Sequence, residues 1–218
     1  MDNFYLRSIT EYCERVSVGF LSEPFNLISN FAFFVSAIFL YRLTKQEKIK
    51  GFQYKLPLFL VIFIGIGSSL WHSIRNPFTN ALDAIPIFIF FLILVFLLLK
   101  NLLQNNKQSF LITTSFLFLQ IVVSYLFPNF LNGSIRHFIN GLTFIILIFW
   151  INKKYKRINI NILIAFTIYI FAIVFRSIDN NVCPVFPVGT HFLWHIFNSI
   201  AVYFAVKGLF FLRHPQGG

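Results

Sequence analysis

Seven runs of predominantly apolar residues, each about 20 residues long, leave this chain of 218 residues few ways to fold. A helix rising about 1.5 Å per residue needs about 20 residues to cross roughly 30 Å of hydrocarbon, and the bilayer core offers backbone amides no water, so runs of this length cross as helices. They lie near 24–43, 56–74, 81–100, 109–127, 134–151, 158–176 and 190–211. The expectation is an all-α polytopic membrane protein, a seven-transmembrane helix bundle. Composition agrees, because 57% hydrophobic and 11% charged residues is far outside the range of a soluble domain. The 32 phenylalanines follow no fixed period and read as lipid-facing and interhelical filler. Neither a repeat nor a flexible linker divides the chain, so 1–218 reads as one domain, with 1–23 as a segment before the first span.

The net charge of +11 does not point to nucleic acid, since the basic residues fall in short blocks between apolar runs and form no basic face. They set orientation instead. All the lysines, with Arg42, Arg157 and Arg213, fall on one side of a seven-span topology, 13 of the 18 basic residues. The positive-inside rule makes that side cytoplasmic, which places the amino terminus outside and the carboxyl terminus in the cytoplasm. The first 23 residues hold three glutamates and no apolar core of signal-peptide type, so no cleavage is expected. An excess of phenylalanine, isoleucine and asparagine suggests an AT-rich genome and a bacterial inner membrane, with the outer side periplasmic.

Ionisable side chains are costly within a span, so each is a functional candidate. His72 closes the second run, Asp83 begins the third, and His191 and His195 open the seventh; topology brings all four to the outer face. His191 and His195 are spaced i, i+4, so both rings leave one helix face and can hold a single ion. Taken alone, such a pair reads equally as a polar contact or a proton relay. Ser68 stands one turn before His72, and Asp83 follows after a short turn containing Asn76, Pro77 and Asn80. Three neutral imidazoles with one open position are the arrangement of a catalytic zinc, whose bound water is acidified to a pKa of about 7. Asp83 would relay its proton, and Ser68 would hold Asp83 or donate to the developing oxyanion. The alternative for Ser68 is a back-bond to its own helix.

Glu11, Glu14 and Glu23 form a second cluster before the first span. Such a set of hard oxygens suits Ca²⁺, with a carbonyl such as that of Tyr12 completing the shell, or it is a solvated acidic face. Cys13 and Cys183, the two cysteines, both fall on the outer side, where an oxidising compartment would permit a disulfide. Arg136 and His137 near the outer end of the fifth run, and Arg176 and Asp179 near that of the sixth, could form ion pairs or contact headgroups. His214, in the cytoplasmic tail, reads as uninvolved.

Together these pieces resemble the alkaline ceramidases, within a wider superfamily of seven-helix membrane hydrolases that includes adiponectin-receptor-like proteins. The resemblance rests on E-Y-C-E at 11–14, E-P-F-N-L-I-S-N at 23–30, G-S-S-L-W-H at 67–72, Asp83, I-D-N-N-V-C at 178–183 and H-F-L-W-H at 191–195, in order along nearly the whole chain. It implies a zinc ion bound by His72, His191 and His195, catalysis by Ser68 and Asp83, and a Cys13–Cys183 disulfide. It also implies calcium held by Glu11, Tyr12, Glu14 and Glu23. The implied reaction is hydrolysis of the N-acyl bond of ceramide to a fatty acid and a sphingoid base, with the lipid entering between helices. Another lipid amide or ester would suit the same machinery. A receptor-like protein with structural zinc would instead close the metal shell with a fourth ligand. A transporter would show paired broken helices or internal repeats, and neither is visible.

Overall fold

The computed structural model describes residues 11–128 and 130–213; His214 lies outside them. Among the described residues all regular structure is helical: α1 (Pro24–Ser29), α2 (Phe31–Gln46), α3 (Phe52–Ile74), α4 (Pro77–Leu103), α5 (Asn106–Leu126), α6 (Ile135–Tyr155), α7 (Ile160–Val182) and α8 (His191–Arg213). Helix α1 runs into α2 as one span, and seven spans in all are long and apolar enough to cross a membrane. The chain is a multi-pass integral membrane protein. Several helices run past the expected apolar runs: the helix expected to end near 176 continues to Val182, and the one expected to end near 151 to Tyr155.

Helix α8 is the axis of the bundle, packing against α7, α2, α1, α4 and α3. Helix α5 sits at the periphery, against α4 and α6. The phenylalanines divide as expected: Phe33, Phe90, Phe91 and Phe144 are buried between helices, whereas Phe63, Phe118 and Phe149 face outward, where lipid would meet them.

Two local devices fix the end of the bundle where α3 stops and α8 starts. The turn from α3 to α4 takes two residues. Arg75 adopts a left-handed conformation (φ 56°), and Asn76 caps α4 by accepting from the Thr79 amide at 2.9 Å, ahead of Pro77 at the first helical position. Further along α4, Pro86 has no N–H to give the Leu82 carbonyl, leaving that oxygen free of its helical partner. Gly67 of α3 faces this carbonyl, which a Cβ there would strike. The two helices therefore approach most closely beside Ser68 and Asp83.

Candidate metal centre and adjoining cavity

His72 on α3 and His191 and His195 on α8 converge, each 2% exposed or less. Their ligand nitrogens all lie within 4.8 Å of one another, so the three could hold one metal ion. Ring centroids stand 4.8 Å apart for His72–His195 and His191–His195 and 5.3 Å apart for His72–His191. Two rings are oriented from behind. His72 Nδ1 meets Glu23 Oε2 at 2.5 Å, and His195 Nδ1 meets Ser29 Oγ at 2.7 Å. With both Nδ1 atoms engaged, both Nε2 atoms are left for an ion, the outer hydrogen bonding that fixes tautomer and ring direction at metal sites. This donor set fits zinc.

A cavity of about 480 Å³ lies over these rings, lined by Ser68, Asp83, His191 and His195 among others. The α3–α4 approach sets Ser68 against Asp83, its hydrogen-bonding neighbour. Ser69 and Ser73, the next serines on α3, make the expected back-bonds, to the Gly65 and Ser69 carbonyls at 2.7 Å each. A second, apolar hollow of about 40 Å³ among Phe90, Phe91, Leu94 and Phe144 shares Ile87, His137 and Trp194 with the first cavity. The two are therefore contiguous, polar at one end and apolar at the other.

The amino-terminal segment is tied across this end. Cys13 and Cys183 form a disulfide with Cα atoms 5.3 Å apart. Asp179 joins the same junction. Its carboxylate accepts from the amides of Thr190 (2.6 Å), His191 (2.9 Å) and Cys13 (3.1 Å), so it anchors the start of α8 and the segment together, and it forms no ion pair among the described residues. Gly189, at φ 70°, leaves the space this requires, since a Cβ there would meet Asp179 and Cys13. Tyr12 stacks on His191 with centroids 3.9 Å apart. Burial, with the Glu11 charge beside it, pushes the Tyr12 hydroxyl up to about 12, so it stays neutral.

A family model described as Ceramidase matches residues 5–218. The chain belongs to the ceramidase family. No curated protein matches it. Membership makes this ceramidase-family chain an amide hydrolase with a lipid substrate.

The acidic cluster is engaged within the protein in this family member. Glu11, Tyr12, Glu14 and Glu23 do gather, but around guanidinium groups and amides. Glu23, fully buried, accepts at Oε1 from Arg15 Nη1 (2.9 Å) and Arg75 Nη1 (2.6 Å), while Oε2 meets His72 and Asn26 Nδ2 (3.2 Å). The Glu14 oxygens accept from the Phe25 and Asn26 amides at 2.6 and 2.9 Å, Glu11 accepts from Arg75 Nη2 at 2.6 Å, and the Tyr12 carbonyl accepts from the Arg15 amide at 3.2 Å. Calcium needs about six to eight oxygen ligands, and here both oxygens of Glu14 and Glu23 and one of Glu11 are already engaged by protein groups. The set does not fit calcium. Burial alone would push the Glu23 carboxyl up, but His72, Arg75 and Arg15 outweigh it and hold the group at about 2. Glu14 shifts the other way, raised by burial against its two amide donors.

Sequence reading found the three histidines, Ser68 and Asp83, but not the partners of the histidines. Glu23 was read as a possible calcium ligand and not as the partner of His72, Ser29 lay unremarked inside E-P-F-N-L-I-S-N, and Arg75 was not singled out. The available signal was the phase of that motif: Glu23, Asn26, Ser29 and Asn30 recur every three or four residues, placing polar groups on one buried helical face.

Proposed function

We propose that this ceramidase-family member hydrolyses the N-acyl bond of a ceramide-like lipid with a zinc ion held by His72, His191 and His195. The observation that carries this reading is the convergence of three buried imidazoles within 4.8 Å beneath a cavity that Ser68 and Asp83 also line. Zinc bound there would polarise the amide carbonyl and acidify a water. Glu23 and Ser29 hold the His72 and His195 rings in one tautomer. Asp83 takes the proton of the attacking water and delivers it to the leaving amine, and Ser68 steadies Asp83 or donates to the oxyanion. The apolar hollow among Phe90, Phe91, Leu94 and Phe144, about 40 Å³, gives the cavity an apolar end toward which the acyl chain would run. The products are a fatty acid and a sphingoid base.

In this reading residues 1–218 are a single domain with the amino terminus outside and the carboxyl terminus cytoplasmic, in a bacterial inner membrane, and the cavity faces the periplasm. The lysine distribution supports that orientation, and a disulfide beside the cavity suits an oxidising compartment. The test is release of fatty acid from long-chain ceramide by detergent-purified protein, with zinc content measured by elemental analysis. His191→Ala, Asp83→Ala and chelation should each abolish release. A protein that holds stoichiometric zinc but hydrolyses no lipid amide or ester would replace the enzyme by a receptor-like protein with structural zinc.

A further inference from the structure

The ion pairs among the described residues involve Arg15, Arg75 and His72, with Glu11 and Glu23 as the acids. Arg176 takes part in none of them, although it is only 6% exposed. Its Nη1 makes two long contacts, to the Tyr12 hydroxyl (3.4 Å) and to His191 Nδ1 (3.5 Å), and neither partner is an anion. Its Nε is buried and makes no hydrogen bond among the described residues, and the guanidinium lies over the Trp194 and Tyr12 rings at 5.7 and 5.9 Å. Arg136, from α6, lines the same cavity, and its Nε donates to the His137 ring at 3.4 Å. The two guanidinium groups lie close enough to repel each other. Glu11 and Asp83 act on them through space only; Glu11 is already bound by Arg75, and Asp83 is the group that carries the proton in the reading above. Arg176 is buried and Arg136 exposed, and a buried cation that shares its cavity with a second one is unfavourable unless an anion joins it. Guanidinium groups take carboxylate or sulfonate oxygens through paired, charge-assisted hydrogen bonds.

We propose that the preferred substrate is an N-acyl lipid whose amine half is acidic, and that Arg136 and Arg176 bind its carboxylate or sulfonate. The inference rests on the amide-hydrolase reading and replaces the sphingoid base of the ceramide reading by an acidic amine. Position sets the chemistry. Arg176 touches His191, so an anion on Arg176 lies within a few bonds of an amide held at the histidines, as in an acyl amino acid. The acyl chain then points the other way, past Ile87 and Trp194 into the apolar hollow that they share with the cavity. Hydrolysis adds water across the amide, giving a fatty acid and a free amino acid, with the proton passing to the leaving nitrogen.

The test compares N-oleoylglycine with N-oleoylethanolamine, matched in chain and size but differing in head charge, and includes a ceramide. KM for the glycine conjugate should be lower by about tenfold or more, as a charge-assisted pair would give. Arg136→Gln and Arg176→Gln should each collapse that ratio toward one, chiefly through KM; Arg136→Gln, at an exposed position, guards against a folding defect in the other. Equal KM values in the wild type, or a ratio that survives both substitutions, overturn the inference while leaving the hydrolase reading intact. Relief of inhibition by free oleate in the variants, with the ratio unchanged, would assign the arginines to the product carboxylate and also overturn it. If no amide is cleaved, the hydrolase reading fails and competition against a fluorescent fatty acid decides the acidic site. Displacement by N-oleoylglycine, weakened in Arg136→Gln, sustains the site; no displacement overturns it.

Discussion

Replacing Arg75 by methionine should unfasten the amino-terminal segment, and the structure gives the size of the effect. The Arg75 side chain is 1% exposed and bonds Glu23, itself fully buried, at 2.6 Å. Removing one partner of a buried ion pair costs about 3–5 kcal/mol, and because Arg15 remains on Glu23 the low end applies. The second pair, to Glu11, involves a carboxylate 38% exposed to solvent, so screening leaves it a small contribution. Arg75 also lies over the rings of Trp71 (4.3 Å) and Tyr12 (4.7 Å), contacts worth about 0.5–1 kcal/mol each. The loss comes to about 4 kcal/mol, or roughly 10 °C in the midpoint of thermal unfolding for a chain of this size. The assay is far-UV circular dichroism in detergent, run with calcium and with EGTA. The wild type should have the same midpoint in both, because guanidinium groups already supply the cationic charge. A fall below about 3 °C in the variant would show that the buried pair does not carry this stability. A wild type that melts substantially lower in EGTA would refute the exclusion of calcium.

Ser29→Ala removes the hydrogen bond that orients His195, and zinc affinity, measured by competition with a fluorescent chelator, should fall about ten- to a hundredfold with little loss of helicity. Replacing Cys13 and Cys183 by serine opens a link between residues 170 apart in the chain and should lower stability by about 2–5 kcal/mol, seen as a lower unfolding midpoint that reductant no longer changes. Gly67→Ala puts a methyl group against the Leu82 carbonyl, so α3 and α4 must part beside Ser68 and Asp83. Fatty-acid release should then fall together with a stability loss of about 1–3 kcal/mol, and an unchanged rate would show that this approach does not position the pair.

The number of spans and most of their length were legible in the sequence, because satisfying a backbone in hydrocarbon is a local matter: each run of about 20 apolar residues must be its own helix. The pairing of His191 with His195 was equally local, a consequence of helical spacing. Topology then brought His72 and Asp83 to the same end as the start of α8, since a short turn joins their helices and four crossings, an even number, separate them from His191. What hydrogen-bonds to those histidines was not local. Glu23 and His72 are 49 residues apart, and Ser29 and His195 are 166 apart. The same three glutamates could serve calcium or arginine, and composition does not distinguish the two. The left-handed turn at Arg75 and the disulfide-tied course of the amino-terminal segment decided it, bringing the guanidinium and the carboxylates into contact. Spacing along one helix fixes which side chains share its face; which charges meet between elements depends on how those elements pack.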